Sequence, residues 1–224
     1  MQGLLLVDKP VGWTSFDVVN KIRFEVARLQ NLKPKSIKVG HTGTLDPFAT
    51  GLLIILVGKE YTRQAQQYSK QDKTYEVGMV FGKTSNTGDP DGQLTNSGTS
   101  VPTKRELIEV LDKYKGEILQ APHPFSAIKV GGQRAYKLAR AGQDIKLQPR
   151  KVLISKLELI DYTYPHIKLV AEVSSGTYIR SLVEDIGKTL GVGAYTSELR
   201  RTKIGEFDIQ DAKSVAVALK TLTL

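Results

Sequence analysis

Lys38–Gly51 reads KVGHTGTLDPFATG, and Leu52–Val57 continues it as LLIILV. An uninterrupted apolar run of strand length marks a strand covered on both faces. The chain is therefore built in layers, as a mixed α/β or α+β domain with this strand inside. The segment ahead of the strand holds three glycines, three threonines, one His, one Asp and one Pro. Small, backbone-permissive residues around a single carboxylate suit a loop that another surface must approach closely. Pro47 excludes a mid-helix position for Asp46 and biases it towards extended geometry. A polar turn between two strands would use the same residues.

Outward from that loop, Gly3–Val7 reads as a short buried strand ending at Asp8-Lys9-Pro10. Ser15 reads as the N-cap of a helix with Val19, Ile22, Val26 and Leu29 on one face. Asn31–Ser36 is a polar, basic linker, and Lys59–Ser69 a short helix. Lys73–Gly82 alternates as a strand, with Tyr75, Val77, Met79 and Phe81 on one face. Lys83–Ser100 is expected to be a long surface loop. Thr103-Lys-Arg-Glu106 is a capping box opening a helix that stops near Gly116. Gln120–Pro124 is punctuated by proline and not helical, and a short helix is expected over Arg134–Ala141. Val152–Tyr162 and Ile167–Val173 read as an antiparallel pair joined at Tyr164-Pro165. Thr177 is expected to start a helix with Ile179, Leu182, Val183, Ile186 and Leu190 as its apolar stripe. Thr196–Phe207 returns as strand or loop, and Asp211–Leu219 as a final helix.

The 224 residues contain no cysteine, which removes disulfides, thiolate nucleophiles and most structural zinc sites. The three histidines, His41, His123 and His166, lack the spacing of a metal site. Catalysis, if present, falls to carboxylates, hydroxyls, Lys or Arg. No apolar run approaches a membrane span, and MQGLLLVDKP lacks the basic start of a signal peptide, so a cytoplasmic location is expected. The net charge of +9 and a pI of about 9.5 favour a polyanionic partner.

Four features could carry chemistry, each with a plainer alternative. Asp46 is either an exposed reactive carboxylate or a turn residue, and its loop carries neither P-loop nor dinucleotide motif. Arg180, near the start of a helix, is ill suited to the helix dipole. It either pairs with a carboxylate from elsewhere or is solvated. Tyr75 and Tyr178 either offer faces to a nucleobase or pack in the core. Between Lys129 and Lys151 seven basic residues stand against one acid, Asp144. That segment is either a phosphate-contacting surface or a solvated charged face.

These motifs, in order, resemble those of the bacterial TruB-type tRNA pseudouridine synthases over essentially the whole chain. Gly3–Pro10 with Gly12 and Thr14-Ser15 resembles the first motif, and Gly40–Gly51 the second. Lys73-Thr-Tyr75 is similar to the third, followed by the loop Thr87–Gly92. Gln120-x-Pro122-x-x-Phe-Ser-Ala127-x-Lys129, with Gly132, Tyr136, Arg140 and Gly142, resembles the family's RNA-gripping thumb, about 120–151. Ser175–Arg180 and Leu199-Arg-Arg201 close the set.

The resemblance implies a single catalytic domain with an α+β pseudouridine-synthase fold. That fold is a large, mostly antiparallel mixed sheet flanked by helices. It implies isomerisation of uridine to pseudouridine in the T-loop of tRNA, at position 55, on a flipped-out base. Asp46 is the implied nucleophile. Attack on the sugar, attack on the base and deprotonation of the sugar all stay open. Arg180 would pair with Asp46, Tyr75 would stack on the base and assist proton transfer, and His41, Tyr178 and Leu199 would line the pocket. Lys129, Arg134, Lys137, Arg140, Arg150 and Lys151 would meet RNA phosphates. No cofactor, metal, guide RNA or membrane is implied, and a monomer is expected because no exposed apolar stripe is evident. Family members usually continue into a small PUA-type RNA-binding domain, which this sequence is expected to lack. Two rivals are a non-catalytic tRNA-binding chaperone and a glycoside hydrolase. The second needs another carboxylate beside Asp46, and the loop has none.

Overall fold

The computed structural model describes residues 2–221. It opens with β1 (Gly3–Lys9), α1 (Ser15–Leu29), β2 (Val39–Thr42) and β3 (Thr50–Val57). Two short helices, α2 (Lys59–Arg63) and α3 (Ala65–Ser69), lead to β4 (Lys73–Phe81). A hairpin, β5 (Lys83–Ser85) with β6 (Leu94–Asn96), precedes α4 (Lys104–Lys113) and β7 (Gly116–Gln120). A second hairpin, β8 (Lys129–Val130) with β9 (Gln133–Arg134), runs into α5 (Ala135–Arg140). Then come β10 (Arg150–Thr163), β11 (His166–Val173) and α6 (Ile179–Thr189). The chain closes with β12 (Ala194–Ile204), β13 (Phe207–Asp208), β14 (Lys213–Ser214) and α7 (Val215–Thr221).

These elements gather into two compact units, one of Met1–Glu76 with Leu199–Leu224 and one of Val77–Glu198. In the first, β3 is the central strand, and every residue from Gly51 to Val57 is buried. It pairs antiparallel with β1, from Gly3↔Val57 to Lys9↔Gly51, and with β2, from Val39↔Val57 to Thr42↔Ile54. It also pairs parallel with β12 at Arg200↔Thr50 and Arg201↔Gly51. Side chains alternate across a strand, so its two faces feed two cores. Leu53, Ile55 and Val57 pack with Val18, Val19, Ile22 and Val26 of α1. Leu52, Ile54 and Leu56 pack with Ile204, Tyr61, Tyr68 and Phe207. The apolar run is thus a strand buried on both faces, as expected.

In the second unit β10 and β11 form a long antiparallel ladder, with irregularities between Ile154 and Lys156 and between Leu159 and Asp161. β7 pairs antiparallel with the start of β10. Ile179, Leu182, Val183 and Ile186 are buried along α6, and Leu107, Val110 and Leu111 along α4. Mixed pairing with flanking helices gives the expected α+β class.

Several expectations need correction. The N-cap of α1 is Thr14, which forms a capping box with Asp17, while Ser15 is buried. Lys59–Ser69 is two short helices rather than one, and β7, which the periodicity did not reveal, occupies Gly116–Gln120. The expected loop over Lys83–Ser100 contains the β5–β6 hairpin, joined from Lys83↔Asn96 to Ser85↔Leu94. Thr177 does not start α6: Tyr178 is the N-cap, and Thr177 Oγ1 donates to Ser174 O. The final helix begins at Val215, after a turn of 3-10 helix at Ile209–Asp211 and β14. Among the described residues no helix is long and apolar enough to cross a membrane.

Candidate active site

In the first unit, β2 and β3 hold the ends of the glycine- and threonine-rich loop, and Asp46 lies between them, half-buried. Its neighbours are pinned. Ser15 Oγ accepts from Leu45 N at 2.8 Å and donates to Leu45 O at 3.1 Å. Gly12 N donates to Pro47 O at 2.8 Å, and Asp46 O accepts from Ala49 N at 3.1 Å. The carboxylate is therefore carried on a backbone fixed on both sides by the segment that links β1 to α1.

Two fully buried cations brace this loop. Lys9 Nζ donates to Pro10 O at 2.9 Å, Trp13 O at 2.6 Å and Pro47 O at 3.3 Å, so all three ammonium protons are used. Burial pulls its pKa down to about 8; the nearby Asp46 charge opposes that shift and Arg201 adds to it. Arg201 Nε donates to Leu52 O at 2.8 Å and Nη2 to Gly43 O at 3.0 Å, closing the loop's two ends on one guanidinium. Lys73, also buried, donates to Ser69 O and Gln71 O and is likewise lowered to about 8, first by burial and then by Arg201. Beside them, Arg200 forms a two-point pair with Asp8 at 3.1 and 2.7 Å.

Of the expected pocket residues, His41 is in β2, Tyr75 in β4 and Leu199 in β12, all in this unit. His41 is half-buried, its Nδ1 is buried without a hydrogen-bond partner, and burial with Arg201 nearby lowers its pKa. It is thus a neutral imidazole at pH 7. Tyr75 and Leu199 are buried, at 7% and 8% exposure.

Arg180 and Tyr178 belong to the second unit. Arg180 is the second residue of α6 and only 4% exposed. Its Nη1 donates to Asp89 Oδ2 at 3.0 Å and Thr87 O at 2.6 Å, and its Nη2 to Phe125 O at 2.9 Å. Asp89 is itself buried and accepts from Thr87 Oγ1 at 2.6 Å and Asp91 N at 3.2 Å. The carboxylate that answers Arg180's awkward place at a helix start thus includes Asp89. Tyr178 is half-buried, and its backbone is gripped by Gln120, whose Oε1 accepts from Tyr178 N at 2.8 Å and whose Nε2 donates to Tyr178 O at 3.1 Å. His123 is buried: its Nδ1 accepts from Phe125 N at 3.2 Å, which turns Nε2 towards Glu184 at 3.3 Å.

The six basic residues expected to meet phosphate, Lys129, Arg134, Lys137, Arg140, Arg150 and Lys151, are all exposed. Lys129 and Arg134 stand opposite each other in the β8–β9 ladder, and Arg140 lies 5.8 Å from the Tyr136 ring centre. Like charges directly opposed in a ladder are unfavourable unless an anion lies between or beside them. Sequence reasoning missed Asp89, Gln120, Lys9 and Arg201 as supports. All four lie in the motifs quoted from the sequence, but no local pattern marks them as buried, since each has a partner distant in the chain.

Residues 29–179 match the model for the TruB family pseudouridylate synthase N-terminal domain. Residues 180–223 match the model described as the tRNA pseudouridylate synthase B C-terminal domain. The chain is 45% identical to tRNA pseudouridine synthase B of Aquifex aeolicus, over 96% of this chain and 72% of that protein. It is 42% identical to the protein of that name from Phocaeicola vulgatus, over 95% of this chain and 89% of that one. Among solved structures it resembles a chain of an H/ACA RNP bound to a substrate RNA containing 2'-deoxyuridine. There the TM-score is 0.68 at 28% identity, over 97% of this chain and 52% of that one. A Cbf5-Nop10-Gar1 complex gives a TM-score of 0.66 at 30% identity, over 92% and 50%. The chain spans about half the length of those two structures' matching chains.

Proposed function

The chain belongs to the TruB family of pseudouridylate synthases, and on that premise we propose that it isomerises uridine to pseudouridine in tRNA, within the T-loop at position 55. The observation that carries this reading is the carriage of Asp46: half-exposed on a loop whose flanking residues, Leu45 and Pro47, are each fixed by hydrogen bonds. A nucleophile or base of this kind needs a fixed backbone and an accessible carboxylate.

In the reaction the C1′–N1 bond breaks and a C1′–C5 bond forms. The C5 proton is lost and N1 gains one, so product and substrate are isomers. Asp46 acts on a uridine flipped out of its loop, and unpaired loop bases cost less to unstack than duplex bases. In this reading Arg180 is the cation that keeps that carboxylate ionised. In the same reading Tyr75 stacks on the base, and His41, Leu199 and Tyr178 are its further contacts. The exposed cations of β8, β9, α5 and β10 hold the phosphates. The catalytic unit is the whole chain, with the segment about 120–151 as its RNA-gripping insertion.

The test is an unmodified tRNA transcript incubated with the protein, then treated with carbodiimide and read by primer extension. A single stop at T-loop position 55 is expected. No stop anywhere would overturn the activity, and a stop outside the T-loop would overturn the site.

A further inference from the structure

The helix that braces the catalytic loop also displays aromatic side chains to solvent. Phe16 is 56% and Phe24 61% exposed on α1, and Val11 just before it 65%. The sequence suggested no exposed apolar stripe, but Phe16, Asn20 and Phe24 are spaced four apart and share one helical face. Single exposed apolar residues are ordinary, but aromatics grouped on one face beside a cleft mark an interaction site.

Beside this face lies a shallow cleft of about 450 Å³, lined by Gly12, Trp13, Asp17, Asn20, Lys21 and Phe24. That volume lies within the roughly 300–1,000 Å³ of small-ligand sites. Each wall has a definable chemistry. Trp13 and Phe24 bring flat aromatic rings, and Lys21 an exposed cation. Asn20 Oδ1 accepts from Arg23 Nη1 at 2.9 Å, which leaves the Asn20 NH2 as a donor. The one acid, Asp17, is committed: its Oδ2 accepts from Thr14 N at 2.8 Å and Thr14 Oγ1 at 2.7 Å. Aromatic faces with one cation and an amide donor match an unpaired nucleotide, whose base stacks, whose carbonyl accepts and whose phosphate is anionic.

The cleft is also tied to the chemistry. Its rim residue Gly12 donates to Pro47 O, next to Asp46, and its lining residue Trp13 accepts from Lys9, whose third bond reaches the same Pro47 O. We propose that this cleft is a second nucleotide subsite, which takes an unpaired base of the same RNA that presents its uridine to Asp46. The proposal rests on the RNA-modifying reading above. Occupancy would hold the Gly12–Trp13 segment, and with it Pro47, in the conformation seen here.

Trp13 is the only tryptophan in the chain, so its emission reports on the cleft. The probe is a T-arm hairpin RNA, titrated into wild-type, Phe24→Ala and Lys21→Glu protein, with binding also followed on filters. Quenching of Trp13 that saturates with binding is expected, with hairpin affinity about tenfold weaker in Phe24→Ala. Lys113→Glu, the same charge change on the exposed end of α4, should leave the quenching amplitude unaltered. Unchanged emission at saturating hairpin, or Phe24→Ala binding as tightly as wild type, overturns the subsite. So does emission that shifts with protein concentration in the absence of RNA, because a second copy would then be covering the cleft. The titration needs no turnover. Quenching without pseudouridine formation sinks the activity and spares the cleft; pseudouridine without quenching does the reverse.

Discussion

Gly51 has φ +103°, and a Cβ built there would lie 2.3 Å from the carbonyl oxygen of Arg201 and 2.7 Å from its amide nitrogen. Both obstacles are backbone, on the strand that pairs with β3, so neither can swing aside. Gly51→Ala combines a left-handed strain with overpacking and should cost on the order of 3 kcal/mol. Gly176, at φ +92° with nothing within 4 Å, carries only the conformational part, so Gly176→Ala should cost about 1 kcal/mol. Urea midpoints compare the two, and equal losses would contradict the close approach. Lys9 offers a pH test at the same scale. Its folded pKa of about 8 lies below the ordinary lysine value near 10.5, so between those pH values the unfolded chain holds a proton that the folded chain has released. Stability from this group therefore rises with pH through that window. The stability difference between wild type and Lys9→Met should grow from pH 8 to pH 10.5, and a difference that shrinks would refute the buried ammonium.

At the scale of elements, helix starts show what a sequence can and cannot reveal. The α4 capping box was legible because Thr103 and Glu106 are the usual pair, and both reciprocal bonds are present, Glu106 N to Thr103 Oγ1 at 3.2 Å and Thr103 N to Glu106 Oε2 at 2.7 Å. Thr103→Ala should cost about 1 kcal/mol in thermal unfolding. The α1 start was misplaced by one residue because Thr14 and Ser15 are both good caps and the partner is Asp17 rather than Glu or Gln. Only the fold reveals that Ser15 spends its hydroxyl on Leu45. At α6 the N-cap residue, Tyr178, is held through its backbone by Gln120, 58 residues away, which no local pattern encodes. Gln120→Ala removes the acceptor of the Tyr178 amide and one of the two donors to the Tyr178 carbonyl, which keeps its bond from Leu182 N at 3.1 Å, at a cost of about 1–3 kcal/mol. Differential scanning calorimetry reads this, and an unchanged midpoint would show the clamp to be incidental. The β5–β6 hairpin escaped notice because its residues are mostly polar, so strand pairing there leaves no apolar alternation.

For the whole molecule, the strand buried on both faces and the two core-facing helix stripes were readable because burial imposes periodicity. The supports of the site were not, since Lys9, Arg201 and Asp89 are charged residues whose burial depends on partners distant in sequence. The excess of positive charge has a measurable consequence. If the six exposed cations of the second unit each meet a phosphate, log affinity should fall with log salt at a slope of about −4 to −5. Replacing Lys129 and Arg134 with Ala should reduce that slope by about 1–2. A flat dependence would remove RNA backbone contact as their role. The central claim rests on one carboxylate. Release of tritium from tRNA transcript carrying [5-³H]uridine, with wild type against Asp46→Ala under single-turnover conditions, tests it most directly. Release by wild type, with none above background from an Asp46→Ala protein that still binds tRNA, is the expected result. Release by Asp46→Ala at the wild-type rate would contradict it.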